Sequence, residues 1–238
     1  MLSLYSRFVR AGDLVLDVGA NHGDRSELFL EMGARVVAVE PQPRCVEIMK
    51  DRFASEPRID ILEAALGDRP GKARLRLSDN DLVSSMSPRW IERARSGGRF
   101  EDSRWCEEID VTVTTMDDLI ARYGVPAFTK IDVEGYELQV LKGLSTPVPA
   151  LSFEYTPEDI KAAYDCLDAI ARLGPYLFNI SAGESMAMSM PTYADRERTI
   201  SRLEAVEGRW GRESGDIYAV LNREAHSNSG EILNASRR

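Results

Sequence analysis

The chain's 238 residues are 43% hydrophobic and carry a formal net charge of −9, ample for one large α/β domain and too short for two full-sized ones. No stretch approaches the ~20 apolar residues needed to cross a bilayer, the opening MLSLYSRFVRAGD lacks the apolar core and small-residue cleavage site of a secretory signal, and the acidic balance works against nonspecific binding to nucleic-acid phosphates. Composition therefore predicts a cytoplasmic protein with a small-molecule partner, no nucleic acid and no membrane, and it leaves the oligomeric state open.

Leu2, Leu4, Phe8 and Val9 predict a short helix packed on a sheet edge. The stretch GDLVLDVGANHGDRSELFLEMGARVVAVEP, from Gly12 to Pro41, then organises the rest of the chain. Leu14, Val15, Leu16 and Val18 read as a strand, Gly19 and Gly23 as a tight turn, and the residues after them as a helix. A second apolar run, Val36 to Val39, ends on Glu40, which places a carboxylate at the carboxyl end of the neighbouring strand, where an acid commonly holds a ribose. Glycines at 19 and 23 let the backbone turn and a ligand come close, and Asn21 tolerates a left-handed conformation. A dinucleotide fingerprint would need glycines where Asn21 and Asp24 stand, and Asp24 puts negative charge where a pyrophosphate would sit. A cationic adenosine ligand without phosphate fits better, and S-adenosyl-L-methionine is one.

Val46, Met49 and Phe53 form the apolar stripe of a helix, and Ile59 to Leu62 reads as the third strand. The following loop, EAALGD from Glu63 to Asp68, lies at the ligand edge and offers a rest for adenine. Ala73, Leu75 and Leu77 alternate with arginines, Ile109, Val111 and Val113 repeat the pattern, and the two runs predict an antiparallel excursion. Between them Ser78 to Glu108 reads as a long loop rich in serine, glycine and arginine, a substrate insertion. Its Arg89, Arg93, Arg95, Arg99 and Arg104, interspersed with Glu92, Glu101 and Asp102, suggest a solvated face more than an anion site. Trp90 and Trp105 suit packing more than stacking on a sugar.

Thr115 caps a helix running to about Tyr123. AFTKIDVEGYELQVLKGL, from Ala127 to Leu144, is the second informative stretch: strand Phe128 to Val133, turn at Gly135, helix to about Gly143. It delivers Asp132 and Glu134 to the ligand edge, and the strand Leu151 to Tyr155 brings Glu154 to a similar height. An amphipathic helix starts at Pro157. Tyr176 to Ile180 and Asp216 to Leu221 are the last strands, and 181–215 between them, with Met186, Met188, Met190, Tyr193 and a charged helix from about Ala194 to Glu207, reads as a lid. The whole of 1–222 is one domain, and 223–238 is a frayed polar tail.

With DVGANHG, VVAVEP, ALGD, TTMDDL and KIDVEGYELQVLKGL placed, the chain resembles the FkbM-type S-adenosylmethionine-dependent methyltransferases over roughly Asp13 to Tyr155. The resemblance implies a Rossmann-like class I methyltransferase fold: an α/β architecture with a seven-stranded, mostly parallel sheet, an antiparallel last strand and helices on both faces. It implies O-methylation, methyl transfer to a hydroxyl acceptor such as a sugar or polyketide-type metabolite. It places Asp17, Gly19, Asn21 and Gly23 around the amino-acid end of the cofactor, Glu40 on the ribose and Ala65 beside the adenine, with Lys130, Asp132, Glu134 and Glu137 near the methyl or its acceptor.

Methyl transfer needs the hydroxyl proton removed, and Asp132 and Glu134 are candidate bases if burial or each other raises their pKa. His22 competes, although a turn histidine is more often bonded to backbone or facing solvent. Lys130 and Glu137 stand equally as functional groups or as an ion pair bracing strand to helix. No metal is assigned: Mg²⁺ or Ca²⁺ on Asp132, Glu134 and Glu154 is the less favoured reading of those acids, and Cys45, Cys106 and Cys166, odd in number, far apart and without a CxxC pair, argue against a structural zinc site or a disulfide framework. Two other classes stand behind this reading, a noncatalytic adenosine-ligand module of the same fold and an NAD-dependent oxidoreductase.

Overall fold

A computed structural model describes residues 1–97, 100, 102–183, 185–207 and 214–222. Arg99, Glu101 and the tail from Arg223 lie outside the described residues. The chain opens with α1 (Leu2–Tyr5) and β1 (Leu14–Val18), continues through α2 (Asp24–Glu31), β2 (Arg35–Glu40) and α3 (Pro43–Arg52), and reaches β3 (Ile59–Glu63). The short β4 (Ala65–Leu66) and the longer β5 (Gly71–Ser78) lead to α4 (Pro88–Ser96) and β6 (Trp105–Thr114). Then come α5 (Met116–Tyr123), β7 (Phe128–Ile131), α6 (Glu137–Lys142), β8 (Ala150–Tyr155), α7 (Ile160–Leu173), β9 (Tyr176–Ala182), α8 (Arg196–Glu207) and β10 (Gly215–Leu221).

Seven strands form one sheet in the order β3-β2-β1-β7-β8-β10-β9. The first five in that order run parallel, and β10 lies antiparallel to both its neighbours. The chain order reverses between β1 and β7, so the ends of those two strands diverge into a crevice at the carboxyl edge, the usual ligand position in such sheets.

Period-two alternation sends each strand's apolar residues to both faces. Leu16, Val18, Val37, Val39, Ile131, Leu151 and Phe153 meet α5, α6 and α7 on one face, whereas Val15, Val36, Ala38, Phe128 and Tyr218 meet α1, α2 and α3 on the other. The α5 helix starts at a capping box: the Asp118 amide donates to Thr115 Oγ1 at 3.0 Å, and the Thr115 amide donates back to Asp118 Oδ2 at 3.2 Å.

The opening helix departs from expectation. It packs on the sheet face, with Tyr5 edge-on to Phe29 and Phe128 and, just past the helix, Phe8 stacked on both Phe128 and Tyr218, and so covers the central β7 and β10 instead of an edge.

A second sheet, β4-β6-β5, holds the expected antiparallel pair, with Ala73 opposite Val111 and Leu75 opposite Ile109. It also takes in Ala65 and Leu66 of the ALGD segment, which pair with Val113 and Thr114. The stretch 78–108 is not one long loop. A single 3-10 turn (Asp81–Val83) precedes α4, whose start is set by Ser87 accepting the Trp90 amide and by Pro88 in the first turn. Trp90, Ile91 and Ala94 bury one face of α4, and Trp90 packs against Phe100 and edge-on to Trp105. The arginines are not one solvated face either. Arg89 and Arg93 both pair with Asp159, whose side chain is 8% exposed, and tie α4 to the turn before α7.

Candidate active site

The glycine turn after β1 is shaped by close approach. Gly19 has φ +79, and a Cβ there would stand 1.7 Å from the backbone oxygen of Asp132 at the end of β7. Gly23 has φ +86 and would drive a Cβ to 2.6 Å from the Phe53 ring. Asn21, at φ 49, donates its backbone N–H to Glu40 Oε2 at 2.8 Å, while the Gln42 amide donates to Glu40 Oε1 at 2.9 Å. Glu40 is 3% exposed; burial raises its pKa, and these two N–H groups oppose the rise. Its carboxylate is fixed in place with its remaining lone pairs toward a cavity of about 300 Å³.

That cavity runs along the carboxyl edge of the sheet. At one end Val39, Pro41, Ala64, Ala65, Leu66 and Leu75 make an apolar slot, and Leu82 covers it from the 3-10 turn. Gly19, Asn21 and Glu40 line its middle. Asp132, Glu134 and Glu154 close the far end, where one carboxylate oxygen from each lies within 4.8 Å of the other two, while the Tyr136 ring reaches back toward Gly67. Three hard oxygen ligands are the donor chemistry of Mg²⁺ or Ca²⁺. Positive charge is already present there: Lys130 Nζ stands 2.5 Å from Asp132 Oδ2.

The turn that presents these acids is braced from three sides. Glu137 Oε1 accepts the amides of Val133 (3.2 Å) and Gly135 (3.1 Å), Ser85 Oγ donates to the Glu134 carbonyl at 2.6 Å, and Trp90 packs where a Cβ on Gly135 would fall. Glu134 itself sits at φ 52, uncommon for a non-glycine residue. The Lys130–Glu137 ion pair considered from sequence does not form; Lys130 turns to Asp132 and Glu137 to the turn's backbone. Burial would push the Lys130 pKa down, but Asp132, Asp216 and Asp17 outweigh it and the pKa rises, so the amine stays charged. Burial pushes Glu154 well above the usual carboxylate range, reinforced by Glu134 and Asp132.

Gly19, Asn21, Glu40, Ala65, Asp132 and Glu134 thus converge on one cavity. Asp17, Gly23, His22 and Lys130 are not among its lining. Asp17 is buried beneath the turn and accepts from Ser26 Oγ at 2.6 Å, bracing β1 against α2. His22 points to the flap formed by residues 80–86: its Nε2 is 2.9 Å from Asp81 Oδ2. Asn21 Nδ2 and Gln42 Nε2 both donate to the Asp81 carbonyl, and Ser84 Oγ donates to Gln42 Oε1. The cavity is therefore covered by this flap, whereas of the described residues in 181–215 only Ser214 reaches it. Of the other lining residues, Asp81, Leu82, Ser84 and Met86 escape sequence reasoning because only the pairing of β5 with β6 carries the flap over the turn, and Gln42 and Tyr136 because nothing in their local sequence marks them as lining. Glu154 was legible by height on its strand; its raised pKa comes from three dimensions.

A model of the Methyltransferase FkbM domain matches residues 17–168. The 2-O-methyltransferase NoeI of Sinorhizobium fredii is 24% identical over 159 residues, which are 64% of this chain and 65% of that protein. A chloroplastic ribosomal RNA small subunit methyltransferase of Arabidopsis thaliana is 33% identical over 55 residues, 23% of this chain and 16% of that protein. The chain thus spans less than two thirds of the length of these relatives. Among solved structures, precorrin-6Y C5,15-methyltransferase of Geobacter metallireducens overlays with a TM-score of 0.46 at 11% identity, covering 92% of this chain and 86% of that one. With well over half of its residues matched by one family model, on the strands and turns that build the cavity, the chain belongs to the FkbM methyltransferase family.

Proposed function

We propose that this chain is an S-adenosyl-L-methionine-dependent O-methyltransferase acting on a hydroxyl of a small molecule, a sugar or a polyketide-type metabolite. The observation that carries the reading is one continuous cavity joining an apolar slot, a backbone-anchored Glu40 and a cluster of carboxylates. Its residues fit the cofactor's chemistry: apolar walls at Ala65 and Leu82 for adenine, Glu40 for the ribose hydroxyls, and acids for a sulfonium. Family membership supports methyl transfer, and the likeness to the Sinorhizobium 2-O-methyltransferase supports oxygen as the acceptor atom.

Bound S-adenosylmethionine supplies an electrophilic methyl: a C–O bond forms to the acceptor, the C–S bond breaks with its electron pair left on sulfur, and the hydroxyl proton must leave. The protein's work is to align the hydroxyl and take that proton. Asp132, paired with Lys130, suits orientation of the acceptor and charge balance. Glu154, raised by burial and its acidic neighbours, binds a proton more strongly than an ordinary carboxylate and is the candidate to take it from the hydroxyl. Glu134 adds an acceptor for a second hydroxyl, and His22 latches the flap through Asp81.

The test is turnover of S-adenosylmethionine with a panel of hydroxylated sugars and metabolites, following S-adenosylhomocysteine release and the mass of the product. Glu154→Gln is expected to lower kcat by about 10²- to 10⁴-fold. Methylation of nitrogen or carbon only, or an undiminished rate in Glu154→Gln, would contradict this reading.

A further inference from the structure

Three side chains from three elements meet beside the main cavity. His22 comes from the glycine turn, Cys45 from the first turn of α3 and Asp81 from the 3-10 turn of the flap. One ring nitrogen of His22, the Cys45 sulfur and one Asp81 carboxylate oxygen all lie within 4.8 Å of one another, with His22 Nε2 2.9 Å from Asp81 Oδ2. Cys45 is fully buried, whereas the His22 and Asp81 side chains are 35% and 27% exposed, so the cluster has one face toward solvent. His22 and Asp81 stand 59 residues apart, and no CxxC-like spacing announces the cluster in the sequence.

The backbones that carry these groups are held independently of the meeting. The His22 N–H donates to Asn21 Oδ1 at 2.8 Å and the His22 carbonyl accepts from Arg52. The Asp81 carbonyl accepts from Asn21 Nδ2 and Gln42 Nε2. Asn21 Nδ2 also stands 3.8 Å from the Cys45 sulfur, and an N–H aimed at sulfur favours the thiolate, the form that binds metal. Burial pushes the Cys45 thiol up to about 12, with Glu40 and Asp81 adding to the rise. Such a thiol keeps its proton until a cation displaces it, and the same two carboxylates attract a cation. An imidazole, a thiol and one carboxylate make the mixed nitrogen, sulfur and oxygen set of Zn²⁺, whereas Mg²⁺ and Ca²⁺ call for oxygens alone. Ligand atoms around a tetrahedral zinc stand roughly 3–4 Å apart, a spacing that small rotations of the His22 and Asp81 side chains reach.

We propose that His22, Cys45 and Asp81 form a zinc site, with solvent in the fourth position, that clamps the flap to the glycine turn and to α3. Loading breaks the Cys45 S–H bond, forms a Zn–S bond and gives one proton to solvent, with no electron transferred. The His22–Asp81 hydrogen bond is exchanged for two bonds to the metal, so the flap is held more firmly than by that contact alone. The claim is independent of the cofactor reading, since it needs no bound nucleoside.

The test is titration of the tag-free, chelator-stripped chain with Co²⁺ and then Zn²⁺. Wild-type protein is expected to develop a thiolate-to-cobalt charge-transfer band that saturates at about one ion per chain and is bleached by zinc, and calorimetry in two buffers should show about one proton released. Cys45→Ser should abolish the band. His22→Gln and Asp81→Asn keep the thiol and should each weaken zinc binding at least about tenfold. Cys106→Ser and His226→Gln, which replace the exposed cysteine and the chain's other histidine, should behave as wild type. Thermal melts check that each variant is folded, and zinc should raise the Tm of wild type but not of Asp81→Asn. If Cys45→Ser does not fold, the His22 and Asp81 variants decide. The proposal is overturned by folded wild type without the band, by a band that survives Cys45→Ser or vanishes in Cys106→Ser, or by zinc affinity within about twofold of wild type in both His22→Gln and Asp81→Asn.

Discussion

Glu137 is the residue on which the acidic turn hangs. Burial raises its pKa to about 7, against the pull of backbone N–H groups including those of Gly135 and Val133. Because the folded value lies above the ordinary 4.5, the folded protein keeps a proton that the unfolded chain has lost. The stability contribution is full below pH 4.5 and is lost as pH rises through about 7. Urea unfolding should give a free energy that falls by roughly 1–3 kcal/mol between pH 5 and pH 8, with a flatter profile in Glu137→Gln. Equal slopes in the two proteins would assign the titration to other groups. Gly19 makes a sharper case, since the atom a Cβ would strike is backbone. Gly19→Ala should cost at least about 2 kcal/mol in the same assay, because β7 must move or the turn must open.

At the scale of elements, α4 joins the body to the site. It packs Trp90 against Gly135 and ties Arg89 and Arg93 to Asp159 on the far side. Trp90→Ala should cost about 3–5 kcal/mol and loosen the turn bearing Glu134, so acceptor KM should rise along with the loss of stability. A variant destabilised but kinetically normal would show the turn to be braced by Ser85 and Glu137 alone. The sequence carries signals for α4, Ser87 and Pro88 at its start and a Trp90, Ile91, Ala94 stripe, but arginine, glycine and serine around them mask the period. Strands such as Phe128–Ile131 were legible because a short run buried on both faces, with Phe128 on one and Ile131 on the other, stands out between turn residues. Arg89 and Arg93 were not legible, because their buried partner Asp159 lies 66 residues or more away in the chain.

Across the whole molecule, the reversal of strand order between β1 and β7 brings two distant motifs to one edge. Gly19 and Glu40 arrive from one side, Asp132 and Glu154 from the other, and the excursion through β5 and β6 lays the flap over both. Sequence alone supplies the strand ends and hence most of the cavity's floor. Its cover, Asp81 and Leu82, follows from tertiary pairing, and Leu82 is left 61% exposed, an apolar side chain that bound adenine would cover. Leu82→Ser should therefore weaken cofactor binding several-fold while leaving urea stability within about 0.5 kcal/mol. The central claim is that this cavity is built for S-adenosylmethionine around Glu40. Calorimetry of the wild type and Glu40→Ala with S-adenosylmethionine, and with NAD as control, addresses it most directly. The account predicts micromolar binding of S-adenosylmethionine, weakened at least about tenfold in Glu40→Ala, and none of NAD. Folded wild-type protein that binds NAD, or binds S-adenosylmethionine no better than its Glu40→Ala variant, would contradict it.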